Sequence, residues 1–203
     1  MIAVIDYGIG NIGSVLNMFK KIGVKDVCFT GKEEDIKAAD KILLPGVGAF
    51  DRGMESLKQS GLIPVLKDFA LVDKKPILGI CLGMQLLTGR SEEGQSKGLG
   101  FIDGETLAFS FPKESNLKVP HMGWNEVIVE KENTLIQQGS SPRFYFVHSY
   151  FVKCHNEADI LATASYGIDF TCAFQHDNIF GTQFHPEKSH KYGMQVLKNF
   201  SLI

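Results

Sequence analysis

Pro76-Ile77-Leu78-Gly79-Ile80-Cys81-Leu82-Gly83-Met84-Gln85 is an apolar run entered from the charged residues Asp73, Lys74 and Lys75. Residues 77–80 read as a short buried strand. The residues that follow Cys81 (Leu82, Met84, Gln85, Leu86, Leu87) favour helix. A strand that turns sharply into a helix, with glycine on both sides of a nucleophile, is a nucleophile elbow. The usual nucleophile there is serine; here it is Cys81. Glycine lets the backbone turn where side chains would collide. The helix N-terminus beyond the turn favours a thiolate, the reactive form. A lone cysteine is more often a buried structural residue. The strand, elbow and helix together set Cys81 apart from that ordinary case.

Outward from this stretch, the chain reads as alternating strands and helices. Residues 2–6 form a first strand, and 7–11 a glycine-containing turn that lacks the full dinucleotide-binding pattern. Asn11 is placed to cap a helix in which Ile12, Val15, Leu16, Phe19 and Ile22 recur at helical spacing before Gly23. Residues 27–30 read as strand, 33–39 as a short helix and 41–44 as strand. That strand runs into Pro45-Gly46-Val47-Gly48, whose backbone N–H groups could face an anion or simply make a turn. Helices follow from Phe50 to about Gly61 and from Leu62, with Pro64 in the first turn, where proline is tolerated. Such alternation predicts a parallel, doubly wound sheet with ligands beyond the carboxyl ends of its strands. Loop 45–48 and Cys81 should therefore face one crevice.

After about residue 90 the texture changes. Strand-like runs at 101–109, 125–129, 144–152, 160–166, 171–175 and 179–184 are closely spaced, which predicts antiparallel pairs. Asp177-Asn178 reads as a two-residue hairpin turn, and 189–200 as a last helix. The fold class is α/β, in a single domain over 1–203. No linker-like or repeated segment divides it.

Composition narrows the function classes. A net charge of −2 gives no case for a nucleic-acid partner. No stretch is long and apolar enough to span a membrane, and the first residues read as a strand, not a signal peptide. The four cysteines lack metal-binding or CxxC spacing, which points to reduced thiols in a cytoplasmic protein without a metal site.

A nucleophilic cysteine needs a base, and the base an orienting partner. Among six histidines, His185 stands out in Phe184-His185-Pro186-Glu187, directly after an apolar strand. Proline biases His185 toward extended geometry. His185 and Glu187, two apart in an extended segment, would then point the same way. A carboxylate there can hold one imidazole nitrogen while the other faces a thiol. The alternative is a polar turn at a strand end.

With these blocks in hand the chain resembles the class I (triad) glutamine amidotransferases, through 79–85 (Gly-Ile-Cys-Leu-Gly-Met-Gln) and 184–187 (Phe-His-Pro-Glu). Within them it most resembles the glutaminase subunits of imidazole glycerol phosphate synthases. That narrower likeness rests on Asp6-Tyr7-Gly8, Gly10-Asn11, the 45–48 loop, Pro120-His121-Met122-Gly123-Trp124-Asn125, Tyr145-Phe146-Val147-His148-Ser149-Tyr150 and Lys188-Ser189. The resemblance implies a flavodoxin-like fold: a mixed, mostly parallel central sheet flanked by helices, with further antiparallel strands in the C-terminal half. It implies L-glutamine as substrate, no cofactor, and Cys81, His185 and Glu187 as the catalytic triad. It assigns the oxyanion to backbone N–H groups of Val47 and Leu82, and glutamine binding to Gly48, Gln85, Ser149 and Tyr150. The family's hydroxyl at position 149 is more often threonine. It also implies a heterodimer with a (β/α)8-barrel cyclase that receives the ammonia, with Asn11, Trp124, Tyr145 and Lys188 at the interface and an apolar patch left exposed near the site. The same triad would serve a paralogous sugar-modifying synthase. A cysteine peptidase on this fold, or a non-catalytic flavodoxin-like module, are the readings from other classes.

Overall fold

Strand β1 (Ile2–Ile5) begins a run of alternating elements: α1 (Ile12–Lys21), β2 (Val27–Thr30), α2 (Glu33–Ala38), β3 (Lys41–Gly46), α3 (Phe50–Ser60), α4 (Ile63–Lys67), β4 (Ile77–Cys81) and α5 (Leu82–Leu86). Helix α4 continues into a π-helical turn, Asp68–Val72. The structure is a computed structural model that describes residues 1–139 and 141–203. Gly61 ends α3 in the left-handed conformation, where glycine carries no Cβ penalty. The second half is mostly strand: β5 (Gly104–Ala108), β6 (His121–Glu126), β7 (Ile128–Val129), β8 (Arg143–His148), β9 (Tyr150–Cys154), β10 (Ile160–Tyr166), β11 (Ile168–His176) and β12 (Ile179–Thr182), before α6 (His190–Leu202).

The main sheet runs β2-β1-β3-β4-β12-β11-β10-β7, with β9 and β5 branching from β11. From β2 to β12 every pairing is parallel; β12–β11, β11–β10 and β10–β7 are antiparallel. The mixed sheet is thus the one expected, and the Asp177-Asn178 hairpin joins β11 to β12 with His176 opposite Ile179. Both faces of the parallel part are covered, which is why its strands read as unbroken apolar runs. Ala3, Ile5, Ile42, Leu44 and Ile77 pack against α2–α5, whereas Ile2, Val4, Leu43, Leu78 and Ile80 pack against α1 and α6. No helix among the described residues is long and apolar enough to cross a membrane.

Several details differ from the sequence reading. The run 144–152 is not one strand. It divides at Ser149 into β8, which pairs with β6 in a separate two-stranded sheet, and β9, which joins the main sheet. Residues 144, 146, 148, 152 and 154 are all buried, so the period of two continues across the break and hides it. The strand expected at 125–129 begins earlier, at His121, and breaks at Val127. Asn11 occupies the N-cap position of α1, yet its side chain makes no capping bond.

Candidate active site

Parallel strands β1, β3, β4 and β12 end at one edge of the sheet, and Cys81, His185 and the 45–48 loop gather there. Cys81 is the last residue of β4, with φ 53° and ψ −110°. A non-glycine residue in this region costs about 1–3 kcal/mol and is held only when its surroundings over-determine it. Two glycines do so by close approach. A Cβ on Gly79 would lie 2.6 Å from the Gly83 carbonyl oxygen, and one on Gly83 would overlap the Leu44 carbonyl oxygen of β3. The first turn of α5 can therefore sit directly on β3 and β4 and lift Cys81 above the strand ends.

His185 follows β12 and is clamped by its backbone. Its N–H donates to the Tyr145 carbonyl at 2.9 Å, and the Ser189 hydroxyl donates to its carbonyl at 2.6 Å. Pro186 opens a 3₁₀ turn, Pro186–Lys188, with His185 as its extended N-cap. The expected extended segment is thus a tight turn. The fixed φ of proline suits it to that first turn position. The turn still brings the pair together: His185 Nδ1 donates to Glu187 Oε1 at 2.7 Å, with side chains only 2% and 3% exposed. His185 Nε2 is buried and has no hydrogen-bond partner among the described residues. Burial alone would lower the imidazole pKa, but the Cys81 and Glu187 side chains outweigh it and raise it to about 9.

The other three cysteines have their thiols held protonated by burial: Cys28 is raised, Cys154 is pushed up to about 12, and Cys172 is raised well above the ordinary value.

A cavity of about 540 Å³ opens over Cys81. Of the residues singled out from sequence, Val47, Gly48, Cys81, Leu82, Gln85, Ser149, Tyr150, His185 and Lys188 line it. Glu187 stands behind His185. Tyr7 donates its hydroxyl to the Pro45 carbonyl at 2.7 Å from beneath the 45–48 loop. Trp124 and Tyr145 lie outside the cavity, on the small β6–β8 sheet, with rings 6.3 Å apart. Lys188 joins the two regions: it lines the cavity, and its ammonium lies 5.8 Å from the Tyr145 ring. Trp124 also stacks on His190 and remains 41% exposed, near Met122 at 61% and Val119 at 47%. Asn11 is exposed at the head of α1, the helix that packs against the 186–188 turn.

Sequence reasoning passed over several site residues. Glu93, in a polar loop, lines the cavity and accepts from the Phe50 N–H at 2.8 Å. His148 lines it as well. Its Nδ1 bonds the Tyr150 carbonyl at 2.7 Å, and its Nε2 pairs with His121 Nδ1 at 3.0 Å. Gln183 is buried beside Cys81. A carboxamide inside the apolar run 179–184 was the available signal, since a buried amide persists where it is hydrogen-bonded.

This geometry has relatives. Residues 3–203 match the family model described as glutamine amidotransferase class-I. The chain belongs to the class I glutamine amidotransferases. Within the family it is 51% identical to the imidazole glycerol phosphate synthase subunit HisH 2 of Pseudomonas aeruginosa, over 98% of both chains. It is 52% identical to the HisH 2 subunit of Methanococcus maripaludis, again over 98% of both, and 46% identical to the HisH subunit of Leptospira borgpetersenii over the whole of both. Solved structures share the fold at low identity. PurLQS from Thermotoga maritima aligns with a TM-score of 0.76 at 18% identity, covering 99% of this chain and 97% of that one. A glutamine amidotransferase from the same organism aligns with a TM-score of 0.66 at 16% identity, covering 98% of this chain and 81% of that one.

Proposed function

We propose that this chain is the glutaminase subunit of an imidazole glycerol phosphate synthase. In that role it hydrolyses the side-chain amide of L-glutamine and delivers the ammonia to a (β/α)8-barrel cyclase, which makes imidazole glycerol phosphate and an aminoimidazole carboxamide ribotide. The observation that carries this reading is the buried His185–Glu187 bond. It leaves one imidazole nitrogen unpartnered beside Cys81, at the mouth of one cavity, in a chain matched end to end by HisH subunits. The four free cysteines agree with a reducing, cytoplasmic setting.

In the proposed mechanism the Cys81 thiol passes its proton to His185 Nε2 and the sulfur attacks the amide carbon of glutamine. Negative charge develops on the amide oxygen, which backbone N–H groups of Leu82 and Val47 receive. His185, charged and held by Glu187, gives its Nε2 proton to the departing nitrogen, and ammonia leaves. The product is a γ-glutamyl thioester on Cys81. His185, now neutral, takes a proton from water, which attacks the thioester; glutamate departs and the thiol is restored. Gly48, Gln85, Ser149 and Tyr150 hold the substrate, and Glu93 supplies the counter-charge for its α-ammonium group. Trp124, Tyr145, Lys188 and Asn11 form the docking face for the cyclase. Exposed Met122 and Val119 extend that face with apolar surface.

A second reading keeps the chemistry but sends ammonia to a different synthase, such as one that aminates a modified sugar. Cys81 and the His185–Glu187 pair would serve either acceptor alike, since the ammonia is released before it meets the second substrate. Co-purification from the native cell separates the two. A barrel cyclase whose ribonucleotide substrate accelerates glutamate release is the expected partner. A sugar-modifying partner overturns the pathway and leaves the triad standing.

A further inference from the structure

Gln183 is fully buried one residue beyond β12, and its backbone N–H is fixed to the Cys172 carbonyl at 2.8 Å. Its carboxamide makes two contacts. Oε1 accepts from Gln85 Nε2 at 3.0 Å, and Nε2 lies 3.8 Å from Cys81 Sγ. Neighbouring groups dictate this orientation. Gln85 Nε2 also donates to the Tyr150 carbonyl at 3.2 Å, and a carbonyl can only accept. Gln85 therefore presents its nitrogen on this side, and Gln183 must answer with its oxygen. The nitrogen of Gln183 is then the atom left facing sulfur. The same Tyr150 carbonyl fixes His148 as the Nδ1–H tautomer, so His148 Nε2 accepts from His121 Nδ1. The row of bonds from His121 and His148 through Tyr150, Gln85 and Gln183 has one consistent assignment, and it ends on the nucleophile.

We propose that Gln183 is a further catalytic residue, whose Nε2–H donates to the Cys81 sulfur and stabilises it as a thiolate. This rests on the reading of Cys81 as the nucleophile. A hydrogen bond to an anionic acceptor is about twice as strong as one to a neutral acceptor, and a neutral thiol accepts weakly. A donor locked in place therefore favours the thiolate over the thiol. It does so twice in the cycle: before attack on the amide, and when sulfur is expelled as the thioester is hydrolysed. Because Gln85 holds the far end of the same carboxamide, substrate contact at Gln85 bears directly on the donor's position.

The test is alkylation of Cys81 by iodoacetamide across a pH series, with the modified peptide mapped by mass spectrometry. Gln183→Met keeps length and removes the donor. The half-maximal pH for Cys81 alkylation should rise by about one unit, with roughly tenfold slower labelling on the acid side of the profile. Glutamine kcat should fall more than KM changes. A Gln183→Met profile that superimposes on a normal wild-type profile overturns the role of Gln183 and leaves Cys81 as nucleophile. Wild-type Cys81 that labels no faster than Cys28 removes the nucleophile reading and this proposal with it. A measurement on the unaltered protein covers the case in which the variant does not fold. The side-chain amide resonances of Gln183 should shift with the same midpoint as Cys81 alkylation, and resonances that stay fixed through that midpoint overturn the proposal.

Discussion

His185 sits where opposing effects meet: burial draws its imidazole down, while the Cys81 sulfur and the Glu187 carboxylate lift it, and the lift wins at about 9. That balance makes a sharp expectation. The NMR titration midpoint of His185 should fall from about 9 toward the ordinary 6.5 in Cys81→Ala, and also in Glu187→Gln, because each change removes a lifting group and leaves burial in place. A midpoint unmoved by either substitution would remove the electrostatic account. The Glu187→Gln change should also lower glutamine turnover by about 10²- to 10⁴-fold, the usual range for disabling acid–base catalysis, in a steady-state assay. At this scale the turn at Cys81 and the pairing of His185 with Glu187 were legible in the residues, because Gly79, Gly83 and Pro186 constrain backbone as well as spacing. Gln183 and Glu93 were not. Their contacts cross from 183 to 81 and 85, and from 93 to 50, and no local pattern carries such distances.

At the scale of elements, the elbow works by contact between β3, β4 and α5, with only hydrogen fitting at Gly83. Gly83→Ala should cost more than about 4 kcal/mol in urea denaturation, or abolish soluble expression. Gly13→Ala, on an open face of α1 with nothing within 4 Å of the new Cβ, should instead stabilise by about 1 kcal/mol. The β6–β8 sheet carries a different liability. His121 and His148 are direct cross-strand partners, and burial lowers them to about 4 and about 3. Both stay neutral when folded, whereas the unfolded chain protonates near 6.5. The unfolded state therefore binds more protons in this window, and stability falls as pH drops from 6.5 toward 4, by up to about 1.4 kcal/mol per pH unit for each histidine. His121→Gln should flatten that slope by one proton's worth in denaturation curves taken across the window. The sequence showed the parallel strands plainly, since burial on both faces leaves unbroken apolar runs. It concealed the chain's change of sheet at Ser149, because the buried positions keep one period through the break.

For the whole molecule, the catalytic edge and the small sheet form one surface, joined by Lys188, which lines the cavity and lies against Tyr145. If the cyclase docks there, Trp124→Ala should weaken the complex by about 2 kcal/mol or more, some thirty-fold in Kd by titration calorimetry, as for a central aromatic anchor. The doubly wound half, and the meeting of loop 45–48 with Cys81 at one edge of it, could be read from the alternation of elements. A docking role for this surface could not be read from periodicity, since Trp124 alone reads as core; that expectation entered through family resemblance. The central claim is that ammonia is released through a thioester on Cys81, and acid-quench mass spectrometry of the complex turning over glutamine tests it most directly. A glutamyl adduct confined to the Cys81 peptide, and absent along with all glutamine turnover in Cys81→Ala, is the predicted result. Undiminished glutamate release by Cys81→Ala, or an adduct on another residue, would contradict it.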